Sequence, residues 1–393
     1  MLTAKKVRLW YRIHKWTSLI CTVFLLMSCL TGLPLVFSHE IFDLSHPHVE
    51  DDDPSERMPE YASLDSIVAQ GKLKYPGEKV FSLGYDDDDR LNVYLGMTPA
   101  WNARPDERHT LVFAAHSGRY IGELHLKHDF LFTMLRLHEE IYAGLPGELF
   151  LGCMALLFVV ALVSGAVVYG PFMRKLDFGT VRKDRVAQVK WFDLHNLLGI
   201  VTLAWALVVG VTGAMNTLVL PLFALWSSHD LPQTLAAYKN VPLPTHLSSA
   251  DAAIQTAKAA LPNMEVASLI FPNNVYGSPR HYVIWAHGKT PVTGRLFDAV
   301  LIDADTGKLT IVKGLPWYLR ALEVSRPLHF GDYGGMPLKI IWALFDLVLI
   351  TVLFSGLYLW VSHRRAPIEN ALDKFVELEE PSAAILPSGM EAR

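Results

Sequence analysis

Apolar residues run from 16 to 38 with neither a charge nor a histidine, and three more such stretches follow at 149–173, 196–228 and 340–362, the last interrupted only by Asp346. A bilayer core of about 30 Å needs roughly 20 apolar residues in a helix, so the pattern predicts four membrane spans. Drawn to their polar flanks, these are 16–38, 149–173, 193–221 and 338–362. The N-terminal segment 1–15, the link 174–192 and the tail 363–393 are short or strongly basic. The two remaining segments, 39–148 and 222–337, are long and polar. Each predicts a helix (63–74 and 249–260) followed by short alternating strands, such as 90–95 and 281–285, with turns at 116–118 and 305–307.

Composition agrees with a membrane protein. Of 393 residues, 51% are hydrophobic and 19% charged, below the roughly 25% charged of soluble domains; mean hydropathy is +0.25. A net charge of -4 argues against nucleic-acid binding through a basic surface. Three cysteines in apolar runs make no disulfide framework. The chain has no C-x-x-C, no dinucleotide fingerprint and no P-loop. Lys and Arg cluster before span one (Lys5, Lys6, Arg8, Arg12, Lys15), between spans two and three (Arg174, Lys175, Arg182, Lys183, Arg185, Lys190) and after span four (Arg364, Arg365). By the positive-inside rule these segments face the cytoplasm and the two long segments face outward. The first span is too long for a signal peptide and no A-x-A-like site follows it, so it is expected to stay as an anchor.

The chain repeats itself. Trp10-x-x-x-His14 recurs as Trp191-x-x-x-His195, and each histidine precedes a Thr-Gly pair, Thr31-Gly32 or Thr212-Gly213, by 18 residues to the glycine. Leu137-His138 and Leu328-His329 precede Ser164-Gly165 and Ser355-Gly356 by 27. Ser63-Leu64-Asp65 echoes Ser249-Ala250-Asp251. The offset climbs from 181 through 186 and 189 to 191, as small loop insertions make it. The expected architecture is therefore mainly α, with four transmembrane helices as a tandem parallel duplication (2+2) and one small α+β domain in each half.

Symmetry places His14 with His195 near the inner face, and His138 with His329 at the outer face. Two imidazoles facing across a pseudo-twofold axis form a bis-imidazole metal site, and with a porphyrin between them a saturated haem. A lone histidine at a membrane edge is more often a hydrated interfacial residue; recurrence at matched spacing favours ligation. The glycines at 32, 165, 213 and 356 would let helices or a macrocycle approach closely. His39 is a substitute ligand should the short helix bearing His138 point away. Asp346, inside a span, is costly and is expected to hydrogen-bond a neighbouring helix. His46, His48, His109, His116, His125, His128, His229, His246, His281 and His287 read as surface or loop residues, and the acidic runs 51–53 and 86–89 as solvated turns.

Arg12-Ile-His14-Lys-Trp16, Leu137-His-Glu-Glu140, Asp193-Leu-His195-Asn and Leu328-His-Phe-Gly-Asp332 followed by Gly334-Gly335 resemble the PepSY-associated transmembrane family, within it the di-haem ferric-siderophore reductases of the bacterial inner membrane. The resemblance runs to about residue 365. It implies two haem b groups, one on His14 and His195 at the cytoplasmic side and one on His138 and His329 at the periplasmic side. It further implies PepSY-like periplasmic domains that meet a ferric siderophore of hydroxamate type, and a quinol or cytoplasmic reductase as electron donor. No side chain acts as acid, base or nucleophile in that scheme. Two competing readings remain: a non-enzymatic protein whose PepSY-like domains bind or regulate a periplasmic partner, and a transporter suggested by the parallel repeats and Asp346.

Overall fold

The computed structural model describes residues 3–362 apart from 47–59, 86–89, 102, 104–106, 126–128, 174–176, 183–184, 274–276 and 291–292. The acidic runs, His48, His128, Arg174, Lys175, Lys183, Arg364 and Arg365 therefore lie outside the described residues.

Among the described residues, four helices are long and apolar enough to cross a membrane: α1 (Ala4–Val36), α5 (Leu145–Met173), α6 (Ala187–Asn216) and α11 (Gly335–Ser362). Helix α1 starts twelve residues before the apolar run, because Ala4-Lys-Lys-Val-Arg-Leu are helix formers with nothing to break them. A short helix α2 (Ser38–Ser45) follows. Helix α6 ends earlier than its apolar run. Pro221 removes a donor and crowds the carbonyl of Thr217 four residues back, so the chain breaks at 217–218 and restarts as α7 (Val219–Leu225). A π-turn (Trp226–Asp230) and α8 (Leu231–Thr234) continue it.

The chain divides into two compact units, one of Met1–Cys29, Cys153–Val211 and Ala343–Arg393, the other of Leu30–Gly152 and Thr212–Trp342. In the first, the parts of α1, α5, α6 and α11 that belong to it present small and apolar side chains: Cys21, Ala161, Ala206 and Leu349 are buried. Cys29 on α1 lies beside the Asp346 carboxyl on α11, whose Oδ2 is buried without a hydrogen-bond partner, a costly placement inside a span.

The second unit holds the polar segments. Helix α3 (Leu64–Lys74) leads into β1 (Lys79–Tyr85), β2 (Asn92–Thr98), β3 (His109–Ala114) and β4 (Tyr120–Leu124), then α4 (Phe130–Glu140). The same order returns as α9 (Ala250–Ala260), β5 (Met264–Ile270), β6 (His281–Gly288), β7 (Phe297–Asp303), β8 (Leu309–Gly314) and α10 (Trp317–Phe330). The expected turns are present, with Gly118 and Gly307 at φ +69° and +70°, a left-handed conformation that costs glycine nothing.

These strands do not make two separate modules. They form one antiparallel sheet in the order β4-β3-β2-β1-β5-β6-β7-β8. Strands β1 and β5 join the halves through Ser82↔Ile270, Leu83↔Leu269 and Gly84↔Ser268. Alternation marks strands and their buried faces, but it does not say which edge pairs with which. Helices α3 and α9 share one core with the sheet, built on Ile67, Leu83, Leu95, Ile254, Leu269 and Ile284. A second core, around Trp226, Trp285, Leu301 and Leu319, lies under α7, α8 and α10.

The helix starts are exchanged. Ser63 and Ser249 cap their own helices through Ser66 N and Ala252 N, but each aspartate serves the other helix. Asp251 accepts from Ser63 Oγ at 2.6 Å, Leu64 N at 2.9 Å and Asp65 N at 3.2 Å. Asp65 accepts from Ala250 N at 2.8 Å and from Ser249 Oγ. Carboxylates at orphan helix N–H groups are stabilising. Asp65→Ala and Asp251→Ala are each expected to cost about 1 kcal/mol, read as a lower melting temperature of the protein in detergent.

His281, 1% exposed, has Nδ1 3.0 Å from Ser278 Oγ and Tyr238 edge-on to its ring. Burial pushes it down to about 4; Asp303 opposes the shift and Arg280 adds to it. Since the folded value lies below the unfolded one of about 6.5, the neutral ring stabilises fully above pH 6.5. That stability is lost as pH falls from there through 4. Up to about 3 kcal/mol is at stake at 1.36 kcal/mol per unit. The melting temperature is expected to fall over that window, and less steeply in His281→Gln.

Candidate functional site: two facing histidine pairs

In the first unit, His14 on α1 faces His195 on α6, with ring centroids 6.3 Å apart and planes at 64°. His14 Nδ1 lies 2.8 Å from the carbonyl oxygen of Ala161 on α5. A carbonyl only accepts, so this nitrogen carries the proton and Nε2 keeps a lone pair. His195 is held the same way, with Nδ1 3.1 Å from Val352 O and 2.9 Å from Ser355 Oγ on α11. Ala161 and Val352 each stand four residues before the glycine of a Ser-Gly pair.

That glycine sets how near the ring comes. A Cβ at Gly165 would stand 2.9 Å from His14 Cε1, and one at Gly356 would stand 3.3 Å from His195 Cε1. Ser164 and Ser355, both buried, turn their hydroxyls back onto their own helix carbonyls, Val160 and Ala161 in one case and Val352 in the other. Their polar atoms are thereby satisfied inside the bundle. A cavity of about 210 Å³ opens beside this pair. Leu25, Phe158, Leu162, Leu203, Leu349 and Leu353 line it, with Tyr11, Lys15 and Asn196 among its polar borders.

The second unit repeats the arrangement with different elements. His138 on α4 faces His329 on α10, centroids 6.1 Å apart and planes at 61°. Thr31 Oγ1 on α1 is 3.2 Å from His138 Nδ1, and Thr212 Oγ1 on α6 is 3.2 Å from His329 Nδ1. A Cβ at Gly32 or Gly213 would stand 3.0 Å from the Cε1 of the corresponding ring. Each of the four imidazoles thus rests on a hydroxyl-glycine pair of another helix.

Both short helices are built to end where their histidine is needed. Asp129 caps α4, accepting from Phe132 N at 2.6 Å, and the helix stops at Ile141 in the left-handed region, φ +47°. Arg136 pairs with Glu140 inside its last turn. Pro316 opens α10 and Gly331, φ +77°, closes it. Ser325 anchors α10 to α6 by donating to Thr212 O and Asn216 Oδ1. So α4 does not point away, and the ring opposite His138 is that of His329; His39 lies beside Glu40 at the start of α2.

Several histidines that read as surface residues have partners. His109 Nδ1 is 2.8 Å from Glu123, which also accepts from Tyr75 at 2.7 and 2.9 Å. Burial opposes ionisation of the Glu123 carboxyl, but bonds from Tyr75 and His109 outweigh it and hold its pKa below the usual range. His46 pairs with Asp129 at 3.0 Å. Among the described residues, no group of three or more His, Cys, Asp or Glu gathers as a metal site.

The family model of the PepSY-associated TM region matches residues 11–363, a stretch that includes all four paired histidines. An uncharacterized protein of Pseudomonas aeruginosa is 32% identical over 85 residues, 22% of this chain and 21% of that protein. The chain thus matches about a fifth of that relative's length.

Gly165→Ala is expected to push His14 off its seat and lower thermal stability by about 1–3 kcal/mol, the usual cost of overpacking. Gly170→Ala, on the same helix with nothing within 4 Å of the new Cβ, is expected to leave the melting temperature unchanged or raise it. Equal losses in the two variants would show that the seat is not what matters.

Proposed function

This chain belongs to the family of PepSY-associated TM regions, and we propose that within it the chain is a haem-b electron-transfer protein and ferric-siderophore reductase of the bacterial inner membrane. In this reading His14 and His195 hold one haem near the cytoplasmic face, and His138 and His329 hold a second near the periplasm. Electrons enter from a quinol or a cytoplasmic reductase and leave to a ferric siderophore of hydroxamate type.

The observation that carries the reading is the spacing of the two facing imidazole pairs. A metal–nitrogen bond of about 2 Å on each side, with about 1 Å more from each nitrogen to its ring centre, puts two centroids about 6 Å apart. The pairs stand at 6.3 and 6.1 Å. Two protein ligands are too few for a structural zinc site, which takes four, but they suit a macrocycle that fills the other positions of its iron. The apolar cavity beside His14 and His195 supports the same group.

A haem held by each histidine pair would supply an iron that changes by one electron. The chain's own part is orientation and exclusion. Nδ1 of His14 and His195 donates to helix carbonyls or Ser355, which keeps Nε2 as the ligating atom and makes it more basic. A Thr31 or Thr212 hydroxyl, 3.2 Å from Nδ1, would do the same for His138 and His329 by accepting Nδ1–H. The leucines and Phe158 around the first pair keep water away. At the substrate, Fe(III) gains one electron to give Fe(II), a softer ion that hard hydroxamate oxygens hold less well, and the chelator is released intact.

The recurring order from α3 to α5 and from α9 to α11, with equivalent seats for each histidine, supports a tandem duplication of a two-span unit. The basic residues at the start of α1 and before α6 support cytoplasmic termini.

The test is a reduced-minus-oxidised visible spectrum of the purified protein with pyridine-haemochrome quantification. Sharp low-spin b-type bands and two haems per chain are expected, falling to one in His14→Ala and in His329→Ala, with ferric-hydroxamate reduction lost in both. A colourless protein that resists haem loading would falsify the proposal. So would variants that keep both haems and chelate reduction.

A further inference from the structure

His46 ends the short helix α2, and its surroundings are those of a structural joint. Nε2 lies 3.0 Å from Asp129 Oδ2, and the two side chains are only 8% and 13% exposed. On the other side of the ring, Nδ1 is 2.9 Å from Ser45 Oγ and 3.2 Å from Phe42 O. Phe42 stacks on the imidazole, centroids 4.1 Å apart and planes 12° apart, and meets Tyr94 of the sheet edge-on at 6.5 Å. The ring is therefore fixed on both edges and on one face.

Asp129 does two things at once. Its Oδ1 accepts the Phe132 N–H at the first turn of α4, and its Oδ2 faces His46. Helix α4 has 11 residues, about 16 Å at 1.5 Å per residue. His138 stands in its last turn, against Thr31 and Gly32. The helix is thus held at its C-terminal end by the seat on α1 and at its N-terminal end by His46.

We propose that His46 and Asp129 form a clamp that aims α4, and that His46 is thereby a positioning residue for His138. A short helix pinned at one end can swing, and binding constellations tolerate only about 0.5 Å of displacement. Helix α10 needs no such clamp for His329. It has its own anchors in Ser325, which donates to Thr212 and Asn216 of α6, in Tyr318 with Asp230 and in Arg320 with Asp298. The clamp therefore acts on one member of the second pair.

The consequence for haem content rests on the function proposed above; the aiming of α4 does not. Four proteins are compared in detergent: wild type, His46→Ala, His46→Gln, which keeps an N–H for Asp129, and Asp129→Ser, which keeps a helix-capping oxygen but no charge for His46. Two quantities are read: amide hydrogen exchange across 130–140 and 317–330, and haem per chain with the low-spin spectrum. His46→Ala and Asp129→Ser are expected to speed exchange in α4 about tenfold or more while leaving α10 unchanged, and to reduce haem from two to about one. His46→Gln is expected to restore both.

A wild-type protein without haem sinks the function proposed above, and the exchange rates still judge the clamp. The clamp is overturned if His46→Ala leaves α4 exchange unchanged, or if α4 and α10 loosen together. It is equally overturned if Asp129→Ser matches wild type, since the cap alone would then suffice, or if His46→Gln fails to rescue.

Discussion

The arrangement of this protein depends on the contact between an imidazole and a stretch of helix that lacks a Cβ. At Gly165, Gly32 and Gly213 the ring sits so close that even a methyl group would stand 3.0 Å or less from Cε1. The hydroxyl beside each glycine reaches the ring nitrogen or satisfies the carbonyl under it. The contact does two kinds of work. It fixes the depth at which each ring enters the bundle, and it holds one ring nitrogen against a carbonyl or a hydroxyl. Moving any of the four rings means remaking a helix-helix contact, which close-packed interiors resist.

The two pairs reach this state by different routes. The first is carried wholly by long helices, His14 and His195 being residues of α1 and α6 with α5 and α11 as their supports. The second stands on short helices, which have less packing of their own and depend on caps and side-chain anchors. On α10 the anchors include buried Ser325; on α4 they include the contact of Asp129 with His46, the residue that ends α2. Equivalent positions thus share their chemistry but differ in what holds them.

Much of this was legible in the sequence, and the reasons differ by element. The spans show because a bilayer demands long apolar runs, and the histidine pairs because a repeated spacing brings equivalent residues to equivalent places. The hydroxyl-glycine pairs were visible as repeats too. Their glycines read as room for a helix or a flat group, since the spacing does not say that each seats a ring of another helix. The joining of the strands into one sheet could not be read, because edge pairing leaves no mark on alternation. Nor could the exchange of Asp65 and Asp251, whose positions look like ordinary first-turn carboxylates of their own helices. His46 was hidden for a similar reason, because its partner is 83 residues away and no local pattern joins them.

The seam between β1 and β5 has a consequence for how the chain is made. Ser82 must wait for Ile270, its partner in the ladder, and α5 and α6 are laid down between them. At about 5–20 residues per second, that interval is on the order of 10–40 s. For that time β1 stands as an open edge, carrying Val80, Phe81 and Leu83, with the start of α3 still lacking the carboxylate that completes it. Exposed apolar edges pair readily with the wrong neighbour. The nascent first half is therefore the stage at which this protein is most exposed to aggregation, and arrival of β5 is what ends it.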